Sequence, residues 1–294
     1  MEVAQMSPVM PLVTVGIPTY NRASMLARSI ESVLKQDYPA IEIVISDNAS
    51  TDHTMQILQE YAGRHPLMKI IRQPRNLGAT VNFAAVLNAA SGEYFMWLGD
   101  DDWIDPSYIS QCHFFLEKDS GISIAGGVPF YYRNGISAGE GGFFEAISDC
   151  WFARVYKYYA RVRDNGIYYG LMRTCQLREI GVKNGMGADW HMIANMACLG
   201  RIVMIPTIFV HRELGGATSS YGNIARSLGL HTLHGAFPMT SIAIGSAENI
   251  LVSGNAFRKK PIFGRVLLAT AVSIRIILKS ITDRISNRIR RQKW

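Results

Sequence analysis

The chain has 294 residues, 48% of them hydrophobic and 18% charged, which supplies a full core and excludes a disordered protein. Four cysteines, Cys112, Cys150, Cys175 and Cys198, stand far apart with neither a CxxC pair nor a His cluster, which argues for reduced thiols over a disulfide framework or a zinc site. The formal charge of +7 is concentrated in the tail: from Arg258 onward eleven Lys and Arg face Asp283 alone, whereas residues 1–257 hold 19 basic and 22 acidic side chains. A slightly acidic body without a nucleic-acid motif gives no footprint for nucleic acid. The first residues lack a basic segment followed by an apolar run, so the expectation is a cytoplasmic protein without a secretory signal.

In chain order, short β-branched runs alternate with helical patterns, the signature of a parallel sheet with crossover helices. Leu12 to Pro18 reads as a strand and Ser24 to Gln36 as a helix with Leu26, Ile30, Val33 and Leu34 on one face. Ile41 to Ser46 and Met68 to Arg72 repeat the strand, Thr54 to Tyr61 and Ala79 to Ala89 the helix. Tyr94 to Leu98 is a strand running into Gly99-Asp100-Asp101-Asp102, after which Asp105-Pro106 reads as an N-cap and first helical residue. Past Arg133 the pattern loosens, with glycines at 135, 139, 141 and 142. Trp151 to Tyr159 has helical character, its aromatics suited to core or to stacking on sugars. Gly166 to Met172 reads as a strand, Asp189 to Leu199 as a helix and Arg201 to His211 as a strand.

Pro261 to Trp294 carries apolar residues at close to helical spacing, interrupted by Arg265, Arg275 and Lys279, and falls short of the roughly 20 apolar residues of a membrane span. The expectation is a basic amphipathic helix on an anionic membrane, with a surface helix packed on the body as the alternative.

Several carboxylate-bearing segments fall at or after strand ends, where an open α/β sheet places its ligand. Asp100-Asp101-Asp102 concentrates like charges, and hard oxygen ligands of this kind suit Mg²⁺ or Mn²⁺ accompanied by substrate phosphates. An exposed acidic loop is the plain alternative for such a triplet.

The order of segments sharpens this. Val15-Gly16-Ile17-Pro18-Thr19-Tyr20-Asn21-Arg22, then Ile43-Val44-Ile45-Ser46-Asp47-Asn48-Ala49-Ser50-Thr51-Asp52, then Asn76-Leu77-Gly78, then Gly92-Glu93-Tyr94 leading to the Asp triplet, resembles glycosyltransferase family 2 over roughly residues 11 to 110. The resemblance implies a GT-A fold: an α/β, Rossmann-like, mostly parallel sheet with flanking helices, here followed by a C-terminal helical tail. It divides the chain into a nucleotide-sugar-binding part (1–133), an acceptor-binding part (134–257) and the basic tail (258–294). It implies that Pro18, Tyr20 and Arg22 border the nucleotide, that Asp47 accepts a hydrogen bond from the base, and that Asn76, Gly78 and Asp100 belong to the same donor site. For Asp47 the alternative is a turn or cap role beside Asp52.

The family's acidic motif is Asp, any residue, Asp-Asp; here Gly99 holds the first position. Asp101 matches the metal-binding carboxylate, Asp102 is a second candidate ligand or a turn cap, and His211 is a further candidate for metal or diphosphate. The family's base comes from a Glu-Asp pair before a helix, which Ala188-Asp189 matches with Ala for Glu, so Asp189 is the candidate base or else a helix N-cap. Gly166 to Arg173 resembles the segment lining donor sugar and acceptor.

The implied activity is an inverting transfer, with Mn²⁺ or Mg²⁺, of a sugar from a UDP- or dTDP-sugar to a hydroxyl of an acceptor glycan. A similarity to bacterial surface-polysaccharide enzymes, with the basic tail, suggests a lipid-linked acceptor at the inner membrane face. The alternatives are a catalytically degenerate scaffold, kept open by Gly99 and Ala188, and a sugar nucleotidyltransferase, which would want a glycine-rich phosphate loop after the first strand.

Overall fold

The first four strands and three helices form where the alternation predicts them. The computed structural model describes residues 10–162, 164–214 and 220–291, with side chains through residue 282. β1 (Val13–Thr19), α1 (Ala23–Leu34), β2 (Ile41–Asp47), α2 (Thr54–Ala62), β3 (Met68–Arg72), α3 (Ala79–Ala89) and β4 (Tyr94–Trp97) follow one another. Then come β5 (Trp103–Ile104), α4 (Tyr108–Lys118), β6 (Ile122–Arg133), β7 (Ile136–Glu140) and α5 (Trp151–Arg161). A 3₁₀ turn (Gly166–Tyr169) leads into β8 (Leu171–Arg173), α6 (Thr174–Ile180), α7 (Ala188–Leu199) and β9 (Arg201–Glu213). Short helices α8 (Tyr221–Ser227) and α9 (Thr232–Ala236) precede α10 (Pro238–Glu248) and the long α11 (Ile262–Arg291).

The strands form one sheet in the order β3-β2-β1-β4-β8-β6-β9-β5, with β7 on the outer part of β6. β3, β2, β1 and β4 run parallel, and Thr19 lies beside Asp47 and Asp47 beside Arg72. The motif residues at the ends of β1 and β2 therefore share one carboxyl edge, and the segment leaving β4 emerges at that edge too.

Alternation along the strands splits the core between the two faces of the sheet. Val13, Val15, Ile17, Ile43, Ile45, Tyr94 and Met96 pack with Leu26 and Ile30 of α1, Leu58 of α2 and α4. Val44, Phe95 and Trp97 face the other way, against Val86 of α3 and the helices of the second half.

Three local expectations change. Gly166 to Met172 is mostly the 3₁₀ turn rather than a strand, because Tyr168 and Gly170 return their N–H groups to Asn165 and Ile167. Asp105 does not cap α4, whose N-cap is Ser107; its carboxylate instead accepts the Phe209 N–H at 2.8 Å and ties β5 to β9. β6 goes unpredicted because Gly126, Gly127 and Pro129 interrupt its pattern, yet it joins β8 to β9 inside the sheet.

α11 is also arranged differently from the expected basic helix. Arg265 donates to the carbonyls of Ile250 and Leu251, Arg275 to Ala160 and Lys279 to Val162, so these cations grip the body. Leu268, Ala269, Val272 and Ile276 are buried between them.

Candidate active site

A cleft of about 410 Å³ opens at the carboxyl edge of the parallel strands. One wall carries Pro18, Arg22 and the Gly99–Asp102 turn; the facing wall carries Asn165, Tyr168, Tyr169, Asp189 and Arg212.

The first wall starts from the turn after β1. Asn21 adopts φ +53°, receives Thr51 N–H on its side-chain oxygen at 2.8 Å and gives its own N–H to Ser50 at 2.8 Å. Asp52 accepts Ala23 N–H at 3.1 Å and Thr54 N–H at 3.0 Å, so it holds the starts of α1 and α2 together and is structural.

Asp47 divides its carboxylate between two tasks. Oδ1 accepts Ser50 N–H at 3.0 Å, as the turn reading requires. Oδ2 is buried without a hydrogen-bond partner, and the nearest cation, Arg72 Nε, is 3.9 Å away. A fully buried acceptor left open is costly, and ligand N–H groups relieve such a cost.

Asn76 and Gly78 shape the neighbouring turn. Asn76 accepts from Asn48 Nδ2 and from Gly78 N–H, both at 2.9 Å, while Gly78 turns the chain into α3 with φ +85°, a conformation that favours glycine. Neither residue lines the cleft, nor do Asp47, which is fully buried, and Tyr20, which is 41% accessible.

In the acidic turn the three carboxylates part company. Asp100 lies 4.0 Å from Arg22 Nε, and burial, with the charge of Asp101 beside it, pushes its carboxyl up to about 7. Asp101 is the more accessible, with Arg22 Nη2 at 3.9 Å, and its carbonyl accepts Arg28 at 3.0 Å. Asp102 is 3% accessible, 3.5 Å from Arg212 Nε, and burial raises its carboxyl to about 6 against the pull of that guanidinium.

Gly99 explains the arrangement: a Cβ there would meet Asp102 Oδ2 at 2.5 Å. Asp102 fills the space that a side chain at position 99 would need, and there it pairs with Arg212.

His211 is not among the residues lining the cleft. Its Nε2 lies 2.8 Å from Asp105 Oδ1, its Nδ1 3.2 Å from the Tyr132 hydroxyl, and its ring stacks on Trp103. The carboxylate of Asp105 fixes the orientation of the ring. The next residue, Arg212, faces the cleft because successive strand side chains alternate, and it lies over the Tyr169 ring at 4.7 Å.

Asp189 lies in the first turn of α7, whose N-cap is Gly187, so the N-cap role falls away. Burial raises its carboxyl above the ordinary range, opposed first by a 2.8 Å hydrogen bond from Asn165 Nδ2 to Oδ2. Asn165 and Arg212 are absent from the motif-based site. Asp164-Asn165-Gly166 announces only a turn, and strand alternation beside His211 is the only signal for Arg212.

Residues 14–180 match glycosyl transferase family 2, more than half of the chain. The chain belongs to glycosyltransferase family 2. Among relatives of the family, a protein of Mycobacterium tuberculosis without assigned function is 31% identical over 208 residues, 66% of this chain and 57% of that one. The chain thus spans little more than half the length of such a relative. A chondroitin synthase of Escherichia coli is 35% identical over 114 residues, 38% of this chain and 16% of the other. Among solved structures, the mannosyltransferase PcManGT of Pyrobaculum calidifontis, in complex with GDP-mannose and Mn²⁺, superposes with a TM-score of 0.57 at 18% identity, over 94% of this chain and 88% of that one. The fold is GT-A, with a C-terminal helix added.

A divalent cation is compatible with the family 2 site. Among the described residues, no three His, Cys, Asp or Glu side chains gather to enclose an ion. Mg²⁺ and Mn²⁺ do not require such a cage: one or two carboxylates, substrate phosphates and water complete their shells. Asp101, whose carboxylate has Arg22 Nη2 at 3.9 Å, fits that role, with Asp100 beside it.

Proposed function

We propose that the protein is an inverting, metal-dependent glycosyltransferase that moves a sugar from a UDP- or dTDP-sugar to a hydroxyl of an acceptor glycan in surface polysaccharide assembly. The observation that carries this reading is one cleft lined both by Asp101 beside Arg22 and by the half-buried Asp189. Chondroitin synthase, a named relative, supports the polysaccharide context.

In this reading the open Oδ2 of Asp47 takes the N–H of a uracil or thymine ring, with Tyr20 and Pro18 beside the nucleoside and Asn76 and Gly78 shaping the loop. Arg22 and Arg212 face the diphosphate from two sides. Asp100 and Asp101 would hold Mn²⁺ or Mg²⁺, which supplies charge neutralisation for the departing diphosphate. Asp189 takes the proton of the acceptor hydroxyl as that oxygen attacks the anomeric carbon from the face opposite the leaving group, which inverts the configuration. Burial raises its affinity for a proton, the direction a general base needs.

Titration of the protein with UDP, dTDP and GDP, with and without Mn²⁺, tests the donor site. Metal-dependent binding of UDP or dTDP, lost in Asp101→Ala, is the expected result. Absence of binding by every nucleotide under both conditions would favour the degenerate scaffold.

A lipid-linked acceptor and peripheral attachment to an anionic membrane complete the reading, on the evidence of α11. Opposite its docked face, Phe263, Leu267, Ile274, Leu278 and Ile281 stand exposed on one side, Phe263 by 74%. Arg258, Lys259 and Lys260 precede this stripe, while no helix among the described residues is long and apolar enough to cross a membrane. Such a helix lies in the interface, apolar side down, with the cations drawn to anionic headgroups. The full chain is expected to sediment with phosphatidylglycerol-containing vesicles, and the double variant Phe263→Ser, Leu267→Ser to remain in solution. Equal sedimentation of both proteins would contradict membrane attachment through this face.

A further inference from the structure

The base proposed above sits against a side chain that no motif announces. Asn165 is 5% accessible, lines the cleft and occupies the left-handed backbone region, φ +51°, ψ +32°, which asparagine tolerates better than most residues. Its side chain is held at both ends: Nδ2 donates to Asp189 Oδ2 at 2.8 Å, and Oδ1 accepts the Tyr158 hydroxyl at 2.8 Å.

The chemistry of the partners fixes which way the amide points. An ionised carboxylate only accepts, so the NH₂ group must face Asp189, and the carbonyl is left to the tyrosine hydroxyl, which donates. The chain Tyr158 to Asn165 to Asp189 therefore has one direction. Tyr158 is itself fully buried in the core, a rigid anchor for the far end.

We propose that Asn165 is the positioning residue for the base: its amide grips one carboxylate oxygen of Asp189 in the ionised form and leaves the other for the acceptor hydroxyl. This rests on the reading of Asp189 as the base. The grip addresses two problems of a base placed in a poorly solvated wall. It stops the carboxylate rotating away from the acceptor, and it offsets part of the burial that favours the protonated, inactive form.

The backbone N–H groups of Asp189 and Trp190 at the start of α7 also support the charged carboxylate, with the Asn165 amide as its larger, side-chain donor. Arg212 of β9 assists the charged form from a distance, whereas Tyr158 and Tyr159 of α5, Tyr168 and Tyr169 of the 3₁₀ turn and Tyr221 of α8 surround it with neutral rings. Of these, only Arg212 is cationic near neutral pH, and it is shared with Asp102.

The test reads the titration of Asp189 directly, without the unknown acceptor. Protein labelled with ¹³C at aspartate carboxyls is titrated by NMR, with Asp189→Asn assigning the signal. Asn165→Gly keeps the left-handed backbone and removes the amide; the Asp189 midpoint is expected to rise by about one pH unit. Asn165→Asp keeps the shape, removes the donor and adds a like charge, so its midpoint is expected to rise further. Tyr158→Phe, which releases only the far end, serves as a milder variant and is expected to shift it less. Release of UDP from UDP-glucose and UDP-N-acetylglucosamine, with water as acceptor, gives the turnover readout. There Asn165→Gly is expected to lower kcat about 10- to 100-fold with little change in donor KM, and the acidic limb of its pH profile to move up with the NMR midpoint.

An unmoved midpoint in both Asn165→Gly and Asn165→Asp would overturn the positioning role. Failure of the underlying base assignment looks different: Asp189→Asn would release UDP at the wild-type rate, while the NMR midpoint still moved in the Asn165 variants.

Discussion

One wall of the cleft hangs from the ends of parallel strands, whereas the facing wall is assembled from a 3₁₀ turn, the start of α7 and the end of β9. Behind the first wall the ladder itself sets the geometry: Asp47 lies beside Thr19 and Arg72 because their strands are in register. On the second, Asp189 reaches its place through side chains, with Asn165 and Tyr158 brought to it from other elements. A site built on strand ends tolerates change in its loops, while a site built on side-chain contacts depends on each of them.

The contrast predicts where substitutions act, in falling order of effect. Asp189→Asn removes the base and leaves the strands untouched, so turnover is expected to fall on the order of 10²- to 10⁴-fold with nucleotide affinity unchanged, as steady-state kinetics and titration would show. Gly99→Asp restores the family's acid in sequence, but its Cβ meets Asp102 Oδ2 at 2.5 Å and adds a like charge. A loss of donor affinity on the order of tenfold or more is expected, with partial recovery in the double variant Gly99→Asp, Asp102→Gly. Asp47→Ala removes the open acceptor, and UDP affinity measured by calorimetry is expected to fall about tenfold.

The smallest effect is on stability and has the opposite sign. Burial raises Asp100 to about 7 and Asp102 to about 6, so the folded protein retains protons that the unfolded chain loses near pH 4. The stabilisation from holding those protons is complete below the unfolded values and disappears as pH rises through 6 to 7. Asp100→Asn removes one of these charges, and its melting temperature at pH 8 is expected to exceed the wild type by a few degrees, while donor binding weakens.

The same contrast explains what the sequence discloses. β1 to β4 and their helices are legible within a residue or two, because β-branched runs and 3.6-residue periodicity are local signals. Asp47, Asp101 and Asp189 are legible as candidates because motifs carry them in order. β6 escapes because its glycines and proline read as a loop until β8 and β9 flank it. Asn165 and Arg212 escape for a related reason: their roles come from contacts with residues distant in the chain or from which side of a strand faces the cleft. Asp102 and His211 are legible as ligand types, while their contacts with Arg212 and Asp105 come from residues distant in the chain. In the tail, composition announces a basic helix, and packing turns Arg265, Arg275 and Lys279 inward, leaving apolar side chains outside.

In the proposed division of labour, Asp101 on one wall of the cleft serves metal and nucleotide and Asp189 on the other serves the acceptor. The most direct measurement compares Asp101→Ala and Asp189→Asn in two assays on the same preparations: calorimetric binding of UDP and dTDP with Mn²⁺, and release of nucleoside diphosphate from the corresponding donor sugars. The account predicts that Asp101→Ala loses both binding and turnover, while Asp189→Asn binds nucleotide as the wild type does and fails to turn over. Wild-type turnover by Asp189→Asn, or undiminished metal-dependent binding by Asp101→Ala, would contradict it.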